Sequence, residues 1–161
     1  MKNKIRNIPA SAPLLCWDIF MEGYHRKIQA AADLHRLRIL SERSKWSFGW
    51  GFERQLMQLN KTVIVTDTSL QIAYASSNVL AMNGYEPSEI IGRRSAMFQG
   101  KDTSAQTRSM IREAVAARQP FVADILNYRK SGERYMCHIE AFPLFNLQQK
   151  LVHFIAFENL V

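Results

Sequence analysis

The stretch TVIVTDTSLQIAYASSNVLAMNGYEPSEIIGRRSAMFQG, residues 62–100, decides the reading of the fold. Its opening, Thr62–Asp67, is β-branched and strand-like, and Thr68–Ser69 suits a turn before a second short strand at Gln71–Tyr74. Ser76 or Ser77 can then cap a short helix over Asn78–Met82, which Asn83–Gly84 stops. Pro87–Gly92 supplies a further helical turn with its own stop. Two strands followed by several very short helices open an α+β plan.

Downstream, a longer helix is expected over Thr103–Ala117, with Met110, Ile111, Ala114 and Val115 as its apolar face, ended by Gln119–Pro120. Three strands follow, at about 121–130, 133–142 and 150–158, with Ser131–Gly132 as a hairpin turn. The expected class is α+β: a five-stranded antiparallel sheet with short helices on one face and a helical N-terminal extension. Alternation places Tyr135, Cys137, Ile139 and Ala141 on the core face of the fourth strand. On the last strand Val152, Phe154, Ala156 and Glu158 share one face, and Leu151, His153, Ile155 and Phe157 share the other. That second set is too apolar to face water, so something must cover it.

Upstream, residues 1–12 read as a flexible tail and 13–60 as a helical extension, leaving 61–161 as the folded domain. From Pro13, Phe20, Tyr24, Ile28, Ala31, Leu34, Leu37 and Leu40 recur at helical spacing, with a weak point at Gly23. A second short helix is expected around Phe52, Leu56 and Leu59. Phe20, Tyr24, Ile28, Leu34 and Leu37 are thus the candidates to cover Ile155 and Phe157, either within one chain or across a homodimer.

The 161 residues suit one domain with an extension, and the net charge of +7 is uneven: residues 1–60 carry 10 basic and 5 acidic side chains. A solvated helix face explains that excess, with weak nucleic-acid contact as an alternative. No apolar run approaches the ~18 residues needed to span a bilayer, and no secretory signal is visible, so the chain reads as cytoplasmic with no membrane contact. Cys16 and Cys137 are too isolated for a metal site and read as reduced thiols, and His25, His35, His138 and His153 show no ligand spacing and read as surface residues. No phosphate loop, nucleophile elbow or carboxylate pair appears, so no catalytic residue is nominated and no enzyme is expected. Trp17, Trp46 and Trp50 read as packing residues.

The segments VIVTD (63–67), YASSNVLAMNGYEPSEIIGRRSAMFQG (74–100), NYRKSGERY (127–135) and HFIAFEN (153–159) together resemble a PAS domain, most closely the light–oxygen–voltage (LOV) subgroup. The resemblance implies a sensory and interaction module in signal transduction that relays ligand or partner binding through its N-terminal helices, as a homodimer or to a separate signalling protein. It also implies a ligand pocket around Ser95, Gln99, Asn127, Cys137 and Glu158. LOV domains bind flavin mononucleotide and bond it to a cysteine; here Ser95 occupies that position. Arg94 and Ala96 replace neighbouring flavin contacts, while Cys137 and Glu158 replace an asparagine and a glutamine on the sheet. Gln99, Arg112 and Asn127 match family contacts. On these replacements the expectation is against flavin, with a cysteine-less flavin sensor of redox state or light as the alternative. The long helix lacks the histidine of haem-binding relatives, so the expectation is also against haem, and the ligand stays unnamed.

Overall fold

The computed structural model describes residues 12–47 and 51–161; the tail expected at the N-terminus lies outside them apart from Ala12, as do Phe48 and Trp50 and the side chains of Cys16 and Trp17. The elements are α1 (Ala12–Ser44), a π-helical turn (Arg54–Gln58), β1 (Thr62–Asp67), β2 (Ile72–Ala75), α2 (Val79–Asn83), α3 (Pro87–Ile90), a 3₁₀ turn (Ser95–Phe98), α4 (Ala105–Ala116), β3 (Phe121–Tyr128), β4 (Arg134–Phe145) and β5 (Leu151–Leu160). The five strands form one antiparallel sheet in the order β2-β1-β5-β4-β3. The α+β class and the five strands are as the sequence predicts, with boundaries shifted by one to three residues.

Local chemistry explains the short helices. Gly84 closes α2 in the left-handed conformation at φ 79°, donating its N–H to the Leu80 carbonyl. At α3, Glu86 and Glu89 form a reciprocal capping box around Pro87, the first helical residue. Ser104 caps α4 by accepting from the Thr107 N–H. Gly23 does not interrupt α1, which runs continuously for 33 residues. A single glycine costs a helix only about 1 kcal/mol, which the neighbouring turns absorb.

Two apolar clusters lie on opposite faces of the sheet. The inner one gathers Ile64, Ile72, Val79, Met82, Ile90, Phe98, Ile125, Tyr135 and Cys137 beneath the short helices. The outer one joins Val63, Val65, Leu144, Ile155 and Phe157 to Leu34 and Leu37 of α1, together with Trp46, Phe52 and Leu56. The apolar outer face is therefore covered by the chain's own N-terminal segment. Val152 leaves the alternation expected of it and packs against the outer cluster. The pairing slips between Leu144 and Phe145, which leaves Val152 as the extra residue of a bulge.

Leu37 is fully buried and Leu34 nearly so, but Phe20, Tyr24 and Ile28 of the same stripe are 64%, 53% and 50% exposed. Only the C-terminal half of α1 lies on the sheet. A buried latch fixes it there. Asp33, 2% exposed, accepts the Ser77 N–H at 2.7 Å and the Ser77 hydroxyl at 3.0 Å, and the Tyr74 hydroxyl donates to the Asp33 backbone carbonyl at 3.0 Å. Burial pushes the Asp33 carboxyl above its ordinary range, against the stabilising bonds from Ser77. Trp46 completes the cap: its indole N–H donates to Nδ1 of His153 at 3.1 Å, and the two rings meet edge to face. His153 is thus half-buried, not a surface residue, because the cap lies on it. His138 likewise is half-buried, with Nδ1 2.6 Å from Asp124. No described helix is long and apolar enough to cross a membrane.

Candidate functional site: the inner cavity

Between α4 and the sheet lies a cavity lined mainly by apolar side chains, among them Ile64, Phe98, Ile111, Ile125, Ile139 and Phe154. Its presence explains a feature of α4. The helix has no fully buried residue: Ile111, Ala114 and Val115 are only half-buried, and Met110, expected on the apolar face, is exposed. Ile111 and Val115 line the cavity, and Ile111 also packs against the inner cluster.

Four of the five expected pocket residues line this space. Ser95 comes from the 3₁₀ turn, Gln99 from just after it, Asn127 from β3 and Glu158 from β5. Cys137 does not line the cavity but sits fully buried beside it, with Sγ 3.6 Å from Oε2 of Glu158. The thiol donates there, so it is held neutral: burial first, then the adjacent carboxyl, push its pKa up. Glu158 is 7% exposed although it lies near the end of β5. Burial pushes its carboxyl up to about 7, and the bond from Cys137 only partly opposes this.

Besides the expected Asn127, the sequence did not reveal two further polar groups, Asn83 and the phenol of Tyr135. Oδ1 of Asn127 is buried without a hydrogen-bond partner among the described residues, and the buried Tyr135 hydroxyl lies beside the side-chain amides of Asn127 and Asn83. Tyr135 was counted only as an apolar core residue; the phenol in place of a plain ring was the available signal. Its pKa is raised by burial first and then by Cys137 and Glu158. An unpaired buried polar atom costs about 1–3 kcal/mol, so the orphaned oxygen of Asn127, a residue that lines the cavity, calls for a donor the described residues do not supply.

The fold and this cavity define a sheet-backed sensory domain, and comparison with known proteins agrees. The PAS domain family matches residues 60–159, and the chain belongs to that family. Phototropin-2 of Oryza sativa subsp. japonica is 34% identical over 106 residues, 64% of this chain and 12% of that protein. A blue-light-activated histidine kinase of Brucella ovis is 35% identical over 85 residues, 53% of this chain and 17% of the kinase. A light–oxygen–voltage domain studied with a flavin analogue superposes with a TM-score of 0.64 at 23% identity, covering 70% of this chain and 85% of that one. The chain is a PAS sensory domain with LOV domains as its structural neighbours, as the sequence motifs indicated. The shared stretch is a small part of the two relatives, and what the rest of each does stays with it.

These neighbours correct the expectation against flavin, since they include a blue-light-activated histidine kinase and, at 26% identity, the LOV domain of the blue-light photoreceptor Aureochrome1. The structure supplies the physical reason. Of the five replaced positions, only Ser95 and Glu158 line the cavity. Arg94 and Ala96 are exposed, and Cys137 lies behind the wall. The apolar lining and the orphaned Asn127 oxygen are chemically compatible with an aromatic group that bears an N–H donor.

Proposed function

We propose that the chain is a flavin-binding PAS sensory module that signals through its N-terminal helix without a cysteine adduct. The observation that carries this reading is the buried, unpartnered Oδ1 of Asn127, a residue that lines the apolar cavity between α4 and the sheet. Phe98, Ile111 and Phe154 would hold the ring faces, while Asn127, Gln99 and Glu158 would meet its polar edge. Exposed Arg112, on the helix above the cavity, is the residue available to a phosphate. The flavin would supply visible absorption and one-electron chemistry. Ser95, an alcohol with no accessible thiolate, would leave the ring unbonded.

Output would pass through β5 to the cap and along α1. The exposed side chains of Tyr24 and Ile28 on the projecting half of that helix suit a two-fold contact with a second copy, with a separate signalling protein as the other partner class. Three arginines near the cap already have acidic neighbours, Arg26 with Glu22, Arg36 with Asp33 and Arg38 with Glu53, which favours the solvated-face reading of the basic helix over nucleic-acid contact.

Titration of the purified apoprotein with flavin mononucleotide, followed by quenching of flavin fluorescence, tests the cofactor. Saturable one-to-one binding is expected; no quenching at high micromolar protein would overturn the reading. Light scattering tests the assembly: a two-chain mass is expected for the wild type and a one-chain mass for Tyr24→Asp/Ile28→Asp.

A further inference from the structure

The inner cavity holds a carboxyl group that nothing in its surroundings neutralises. Glu158 enters from β5, the central strand, and is 7% exposed. Cys137 and Tyr135 of β4 are the titratable groups that face it, and both stay neutral through burial. Its cross-strand neighbours are Thr62 on β1 and Ile139 on β4, and Met82 of α2 shares a shallow cleft with it. Asp124 of β3 acts on Cys137 from further out and would oppose a negative charge here. No lysine, arginine or histidine contributes to its ionisation.

A carboxylate in this setting would be buried beside a thiol and a phenol, with one weak sulfur donor as its support. A carboxylic acid is different, because it carries a hydrogen to donate. The Cys137 thiol donates to Oε2, so the acid proton falls to Oε1. The cavity then offers two opposite polar groups: an acceptor at Asn127 Oδ1 and a donor at Glu158. Together they match a heteroaromatic edge that presents both an N–H and a carbonyl or ring nitrogen. A carboxylate at Glu158 would instead set lone pairs against that carbonyl.

We propose that Glu158 works in its neutral form, as the hydrogen-bond donor to a carbonyl oxygen or ring nitrogen of the flavin, so that the cavity grips its ligand in mild acid and releases it in mild alkali. The proposal rests on the flavin reading above and adds proton-gated affinity to it. The cleft lined by Asn60, Thr62 and Met82 reaches Glu158 from the other side and gives the proton a way to exchange with water while the cavity is filled.

The test is riboflavin affinity measured by fluorescence quenching from pH 6 to pH 9, because a phosphate monoester would add its own titration near about 6. If only the acid form binds, with Glu158 titrating at about 7, affinity falls roughly a hundredfold across that range. Glu158→Gln, whose amide donates at every pH, should bind with a flat profile. Should that variant fail to fold, the wild-type profile still decides, alongside an infrared carbonyl band of a protonated carboxyl that disappears as pH rises. Wild-type affinity that is flat across the range overturns the proton gate and leaves flavin binding intact. No binding of riboflavin or flavin mononucleotide at any pH overturns both.

Discussion

Glu158 also makes a statement about folding that needs no ligand. In the unfolded chain its carboxyl ionises near the ordinary value of 4.5, whereas in the folded protein burial holds the proton up to about 7. Between those values the folded state binds more protons than the unfolded state, so this residue lowers stability as pH rises. The shift of about 2.5 pH units corresponds to roughly 3 kcal/mol of penalty at full ionisation, at ~1.36 kcal/mol per unit. Integrating the two titrations, most of that penalty develops between pH 5 and pH 8. Glu158→Gln keeps the shape and cannot ionise, so the variant should gain stability relative to the wild type by that amount over the same interval. Urea denaturation of the apoprotein at pH 5, 6, 7 and 8, followed by far-ultraviolet circular dichroism, gives the difference at each pH. A constant difference between the two proteins would show that Glu158 is ionised normally and that the buried-acid argument is wrong.

Leu37→Ala should cost about 2–5 kcal/mol in the same urea assay, because the side chain is fully buried between α1 and the sheet. An effect below 1 kcal/mol would mean that the cap is not seated in solution. Asp33→Ala should remove about 1–3 kcal/mol and raise hydrogen exchange at the Ser77 amide, which loses its acceptor; unchanged exchange there would remove the latch from the account. Burial depresses the pKa of His153, and Trp46 needs its Nδ1 unprotonated. The stability from this neutral histidine is therefore present above the unfolded value of 6.5 and lost as pH falls through the lower folded value. An acid-induced change in tryptophan fluorescence should follow, and His153→Phe should abolish it.

The sheet was readable because both of its faces announce themselves. Alternation along β4 and β5 separated Cys137, Ala141 and Glu158 from Ile155 and Phe157 before any coordinates, and the structure puts the two sets on opposite faces. The two ends of the α1 stripe were not distinguishable, since Phe20 and Leu37 carry the same periodic signal and only the sheet's length decides which is covered. Asp33 was invisible as a latch because its partners are 41 and 44 residues away. In the cavity, the family resemblance pointed to Ser95, Gln99, Asn127 and Glu158, which the structure brings together. Counting replaced positions misjudged the cofactor, because a count weighs exposed Arg94 and Ala96 equally with Glu158. Whether a side chain faces the ligand is a three-dimensional property.

The central position of β5 has a consequence for how a message leaves the cavity. Phe154, Ala156 and Glu158 touch the cavity, and Ile155 and Phe157 touch the cap, so neighbouring residues of one strand belong to opposite sides of the domain. The distance between input and output is then a single peptide unit, and a small rotation of that strand moves both sets of side chains at once. Two events joined through so short a lever share one free energy, and thermodynamics makes the exchange mutual. Whatever factor a ligand applies to undocking of α1, undocking applies to the ligand's escape. A protein that grips α1 from outside would therefore reset the cavity's affinity without ever touching its contents, and the domain could be read in either direction.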